Sequence, residues 1–163
     1  MTDVEKLLAI EEIKRLMATR LRVMDLKQWD EYGALHTEDA VSETYGDLPP
    51  DKQPVAGGAR NRVVGPAALT AAIRRFMEHP TPITSSHHVH QPEIRFTSET
   101  TATGLWPMED HLWWRNGDAE EHLHGYGHYY EEYRKVDGRW LISFRRLTRL
   151  RLDKTPRFHD RIG

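Results

Sequence analysis

Between Thr84 and Phe96 the chain reads TSSHHVHQPEIRF, and here its pattern changes from helical to β. Segments before this stretch carry apolar residues at helical spacing, and segments after it alternate as strands do. That order allows few architectures. Helices followed by a run of strands joined by tight turns imply an α+β domain, an antiparallel sheet covered on one face by N-terminal helices. In a strand, successive side chains point to opposite faces. His87, Val89 and Gln91 therefore share one face, and His88 and His90 share the other. One face must be the inside, so at least one of these histidines is expected to look into the core or a pocket.

The upstream part supplies the cover. Asp3 is positioned to cap a helix whose apolar positions are Leu7, Ile10, Ile13, Met17, Leu21 and Met24, a period of three and four sustained over several turns. Asp25 follows Leu21 by four residues, which puts it about 40° away around a helix of 3.6 residues per turn. Its carboxylate is thus expected at the edge of the buried stripe, where it either ends the helix or faces the sheet. Arg20, between Met17 and Met24, lies near the same stripe. Trp29, Tyr32 and Leu35 form a short second helical face, and Asp39–Tyr45 reads as a first strand. The stretch 46–65, with three prolines and two adjacent glycines, reads as a long surface loop. Pro66 suits the first turn of a third helix, with Leu69, Ile73 and Phe76 as its buried face and His79-Pro80-Thr81-Pro82 as its end.

Four strands are expected downstream: Thr84–Phe96, Thr101–Arg115, Ala119–Lys135 and Arg139–Asp153. Asn116-Gly117 and Val136-Asp137-Gly138 mark the turns between the last three. The whole reads as a single domain over residues 1–153 with a polar tail over 154–163, an arm or a disordered end. Composition narrows the function. A formal net charge of −2 provides no field to recruit nucleic acid or an acidic membrane. The absence of cysteine excludes disulfides and thiolate chemistry. No apolar run approaches the roughly 20 residues of a membrane span, and the acidic, amphipathic start is unlike a signal peptide, so a cytoplasmic location is the default expectation. Ten histidines among 163 residues point toward acid–base or metal chemistry.

Three constellations follow. Asp25 on the covering helix is positioned to face His87 on the strand beneath, and a carboxylate bonded to imidazole fixes its tautomer and supports it as a base. His122 and His124 share a strand face, with His111 opposite one or the other depending on register, as three potential zinc or iron ligands. That pattern is similar to the cupin one, but the glutamate that should follow is missing and His128 and Tyr129 stand in its region; exposed or cross-strand-paired histidines are the plainer account. Trp106, Trp113, Trp114, Tyr126, Tyr129 and Tyr130 form core or line a pocket for a flat apolar ligand. The arginines of 145–151 alternate with apolar residues and read as a solvated strand edge.

The order and spacing of IEEIKRLMATRLRVMDLKQWDEYGALHTEDAV, HHVHQPEIRF and EEYRKVDGRWLISFRRL resemble the SnoaL-like (polyketide cyclase-like) branch of the nuclear transport factor 2-like superfamily. Within it the chain looks nearest to the group of scytalone dehydratase, bile acid 7α-dehydratase and hexachlorocyclohexane dehydrochlorinase. The resemblance implies a curved sheet wrapped by about three helices into a cone with an internal pocket. It also implies elimination by an Asp–His dyad without a cofactor. Carried over, the aspartate is Asp25. The histidine, counted back seven residues from Ile94, is His87, with His88 in reserve. A further acid or histidine falls on Asp110 or His111, and an arginine on Arg145. Arg20 stands where those enzymes have Tyr or Lys; it stays protonated and can stabilise an anion but not shuttle a proton. Trp29, Trp106, Tyr126 and Tyr129 are candidates to line the pocket for a small, cyclic, fairly apolar substrate. The family commonly self-associates, and a homo-oligomer is expected, trimer ahead of dimer. A non-catalytic ligand-binding or subunit-assembly module is the alternative, and a histidine-ligated metal enzyme the third reading.

Overall fold

A computed structural model describes residues 1–44 and 61–162. Helix α1 (Asp3–Asp25) opens the chain. Thr2, not Asp3, caps it: the Thr2 hydroxyl accepts from the Glu5 N–H while Glu5 accepts from the Thr2 N–H, a reciprocal capping box. Its buried face runs through Ala9, Ile13, Met17, Leu21 and Met24, whereas Leu7 is exposed. Helix α2 (Trp29–Tyr32) and a 3₁₀ turn (Gly33–Leu35) follow. Strand β1 (His36–Thr44) starts three residues earlier than the sequence suggests. The expected loop over 46–65 contains strand β2 (Asn61–Val64), paired antiparallel to β1; residues up to 60 lie outside those described. Helix α3 (Pro66–Glu78) has proline in its first turn, as read from the sequence.

The single strand expected over Thr84–Phe96 is two, β3 (Thr84–Val89) and β4 (Glu93–Phe96), both paired with β5 (Thr101–Asn116). Pro92 lacks an N–H to give to the ladder, and the break falls just before it, opposite Pro107, whose carbonyl accepts from the His90 N–H at 2.9 Å. With β6 (Ala119–Val136) and β7 (Arg139–Lys154) the described residues form a seven-stranded sheet of order β2-β1-β7-β6-β5-β3, with β4 also on β5. The sheet is mixed, because β1 runs parallel to β7. The turns are tight two-residue loops. Gly117 (φ 63°) and Asp118 make the first, one residue later than Asn116-Gly117; Asp137 (φ 48°) and Gly138 (φ 77°) make the second.

One face of the sheet packs on the helices. Trp106, Met108, Leu112, Tyr129, Tyr133, Ile142 and Leu147 point into it with Met17 and Met24. Met17 is fully buried, and burying a side chain of that size contributes about 1.5–3 kcal/mol. The tail is not a free arm: Phe158 is fully buried and its carbonyl accepts from Trp114 Nε1 at 3.1 Å. No helix among the described residues is long and apolar enough to cross a membrane.

Charge is also buried beneath α1. Arg20 and Glu131 are both fully buried, with Arg20 Nη2 3.1 Å from Glu131 Oε1, an ion pair without the alignment of a full hydrogen bond. Nearby, His36 is buried with Nδ1 2.9 Å from the Tyr32 carbonyl. Burial and then the Arg20 charge push the His36 imidazolium down to about 4, against the opposing pull of the Tyr32 carbonyl. An unfolded histidine titrates near 6.5, so between pH 6.5 and 4 the unfolded chain binds a proton that the folded chain does not, and stability falls as pH falls through that window. Between pH 7 and 4.5 this single group is expected to remove about 2–3 kcal/mol. Urea titrations at both pH values, on wild type and His36→Gln, measure it; an identical pH dependence in the two proteins would refute the assignment.

Candidate active site

The end of α1 and the start of β3 meet at Asp25. Leu21 and Met24 anchor the last turn of the helix in the core, which directs the next carboxylate at the sheet. Asp25 Oδ1 lies 2.6 Å from His87 Nδ1 and accepts from the Ser85 hydroxyl at 2.7 Å. Its Oδ2 accepts the His87 backbone N–H at 3.0 Å. Three donors from alternate residues of one strand therefore fix one carboxylate. Burial alone would raise the Asp25 carboxyl; the hydrogen bond and charge of His87, with the backbone N–H and Ser85, outweigh it and hold it below the usual carboxylate range. With Nδ1 turned to an ionised carboxylate, the neutral ring carries its proton on Nδ1. The lone pair is then on Nε2, which has no partner among the described residues.

Alternation sorts the other candidates. Asp110 pairs with His87 across the β3–β5 ladder and shares its face, but both of its oxygens take a bidentate ion pair from Arg149, at 2.6 and 2.7 Å. Asp110 is committed to that pair, not placed as a free acid. Gly125 sits opposite and makes the room, since a Cβ there would overlap Asp110 Oδ1 and Arg149 Nη1. The Arg145 and Arg20 guanidiniums each lie 4.7 Å from the centre of the Tyr129 ring. Arg145 donates to Ser42 Oγ at 3.1 Å and keeps a buried Nε without a hydrogen-bond partner among the described residues. Trp106 is buried and donates to Tyr133 Oη at 2.8 Å, and Trp29 donates to Glu78 at 2.8 Å.

Three candidates belong to the opposite face. His88 is exposed there. His111 and Tyr126 also lie there, in a group with Glu109 and His124. One-residue alternation separates His88 from His87, and the same alternation takes His111 away from Asp110. Tyr126, on an even position of β6, faces away from Tyr129 in the same manner. His122 stands opposite Trp113, so His111 pairs with His124 instead. Sequence reasoning missed Ser85 and Arg149. Ser85 was within reach, two residues before His87 and so on its face; Arg149 was not, because its partner depends on a bulge in β7.

A helix-covered, curved mixed sheet with a carboxylate delivered from the end of the first helix to a strand histidine defines an α+β domain of the nuclear transport factor 2-like type. The SnoaL-like domain model matches residues 5–146, and the chain belongs to that family. Its fold is similar to that of hexachlorocyclohexane dehydrochlorinase (LinA) type 2, at 17% identity, covering 94% of this chain and 93% of that one, TM-score 0.74. It is equally similar to LinA-type3 from Novosphingobium barchaimii LL02, at 16% identity, 95% of each chain and TM-score 0.73. A candidate scytalone dehydratase from Novosphingobium aromaticivorans matches at 22% identity, 94% of this chain and 91% of that one, TM-score 0.72. These likenesses show that the chain shares its fold with those proteins.

Proposed function

We propose that the protein is a lyase of the dehydratase type, or an isomerase using the same proton abstraction, acting without a cofactor on a small, cyclic, fairly apolar substrate. The observation that carries this reading is the 2.6 Å contact between Asp25 Oδ1 and His87 Nδ1. It supports Nε2 as a general base whose tautomer is held by Asp25. His87 Nε2 takes a proton from a carbon, the C–H electron pair forms the double bond, and the leaving group departs from the neighbouring carbon, a halide as the anion and a hydroxyl as water carrying the proton returned by the His87 imidazolium. Arg145, whose Nε is unpaired among the described residues, is the group suited to stabilise the charge that develops. Arg20 is committed to Glu131 and acts at most through Tyr129. A module that only binds or assembles has no need for the pair to touch, which favours the catalytic reading. The active protein is taken to be a homo-oligomer, trimer ahead of dimer.

The test is turnover of a hexachlorocyclohexane, followed by chloride release, and of a cyclic β-hydroxy ketone, followed by dehydration. His87→Ala is expected to lower the rate on the accepted substrate by about a hundred- to ten-thousandfold. A His87→Ala protein as active as wild type would sink the proposal.

A further inference from the structure

The sheet face turned away from the dyad carries a second constellation. Glu109 and His111 on β5 and His124 on β6 place one ligand atom each within 4.8 Å of one another. His124 Nε2 lies 3.0 Å from Glu109 Oε2, and His111 Nε2 lies 3.8 Å from the same oxygen. The two imidazole rings are 3.5 Å apart between centres. In a tetrahedral zinc site with bonds of 2.0–2.2 Å, ligand atoms stand about 3.3 Å apart. The two spacings to Glu109 Oε2 bracket that value and the remaining pair lies within 4.8 Å, so closing on one ion asks for side-chain rotation and not for movement of the strands.

Two further observations suit a ligand set. The Tyr126 hydroxyl bonds His124 Nδ1 at 3.0 Å, which orients the ring and leaves Nε2 toward Glu109. Metal-bound histidines are held in this way through their other nitrogen. The three side chains are also between a quarter and a third exposed, open to an arriving ion and to water as a fourth ligand. His90, with Nε2 3.5 Å from the other Glu109 oxygen, flanks the cluster. Two imidazoles and one carboxylate favour a borderline cation such as Zn²⁺ over the oxygen-preferring Mg²⁺ and Ca²⁺.

We infer that Glu109, His111 and His124 form a divalent transition-metal site of the zinc type, on the outer sheet face and separate from the Asp25–His87 pair. The ligands come from two adjacent strands. His122, the other half of the His-x-His run, is not among them.

The experiment is equilibrium dialysis of the full chain, stripped with chelator, against Zn²⁺, with the visible spectrum of the Co²⁺ form as a second readout. Wild type is expected to hold one Zn²⁺ per chain and to give a tetrahedral Co²⁺ spectrum. His111→Ala, His124→Ala and Glu109→Gln are each expected to weaken binding by about tenfold or more, and Tyr126→Phe by about tenfold. His122→Ala and His87→Ala are expected to bind as wild type does. Thermal melts of each variant without metal separate lost binding from lost folding, and the part-exposed positions leave the core intact. The inference is overturned if wild type retains no more Zn²⁺ than the Glu109→Gln, His111→Ala double variant. It is equally overturned if His122→Ala abolishes binding while His111→Ala does not. Neither result bears on the dyad.

Discussion

On the elimination chemistry proposed above, Asp25→Asn is expected to lower turnover by about a thousand- to ten-thousandfold while the fold persists. The amide has no good orientation. If its oxygen keeps the Oδ1 place, its NH₂ meets the His87 backbone N–H, donor against donor. If it turns over, its NH₂ donates to His87 Nδ1 and forces the ring proton onto Nε2, so the nitrogen facing substrate can no longer accept one. Loss of the bonds now made to an ionised acceptor costs about 1.5–3 kcal/mol in stability, which the chain can absorb. The measurement is kcat with a parallel denaturant titration. A variant as stable as wild type and still fully active would rule out Asp25 as the group that sets the tautomer. The pH sign is fixed by the depressed Asp25 carboxyl. Its contribution to stability is fully present above the unfolded value near 3.9 and is lost as pH falls through the lower folded one.

The largest stability effect is expected at Glu131. Its Oε2 accepts from Tyr133 Oη at 2.7 Å, and Tyr133 in turn accepts from Trp106 Nε1. Its Oε1 faces Arg20, which burial alone would push toward releasing its proton and which the Glu131 charge holds firmly protonated. Burial likewise pushes the Tyr133 phenol well up, and the Glu131 charge adds to it. Glu131→Gln leaves a fully buried guanidinium without the counter-charge it has among the described residues. Breaking a buried pair in this way costs about 3–5 kcal/mol, a fall in Tm of roughly 6–20 °C for a chain of this length. Replacing both partners, Arg20→Met with Glu131→Leu, is expected to recover most of the loss, because no charge is stranded. Urea denaturation of the single and double variants measures the difference. A loss below about 1 kcal/mol in Glu131→Gln would mean that the pair is solvated or that Arg20 has another anion.

The helical stripe of α1 was legible because it follows from a period of 3.6, whereas the period of two put His87 and His88 on opposite faces without saying which turns inward, and only the family resemblance favoured His87. Asp25 was legible from the helical period, as it lies one turn beyond Leu21. The His111 partner was not. Asn116-Gly117 and Gly117-Asp118 are equally good two-residue turns by composition, and choosing between them moves His111 from His122 to His124. Glu131 sits on the same alternating face as Tyr129 and Tyr133, so its inward turn was readable, but Arg20 as its partner requires the packing of α1 on β6. The parallel run of β1 beside β7 left no trace in the pattern, since strand order is a property of pairing and not of periodicity.

That parallel seam has a consequence for how the chain comes into being. Ser42 on β1 meets Arg145 on β7 across 103 positions. During synthesis β1 therefore waits, one edge unpaired, until β7 has left the ribosome. Contacts this distant in sequence slow folding, because the chain must close a long loop before it gains from them. A nascent chain halted before Arg139 has no β7 to lay beside β1, so the sheet reaches its native form only after β7 has been made.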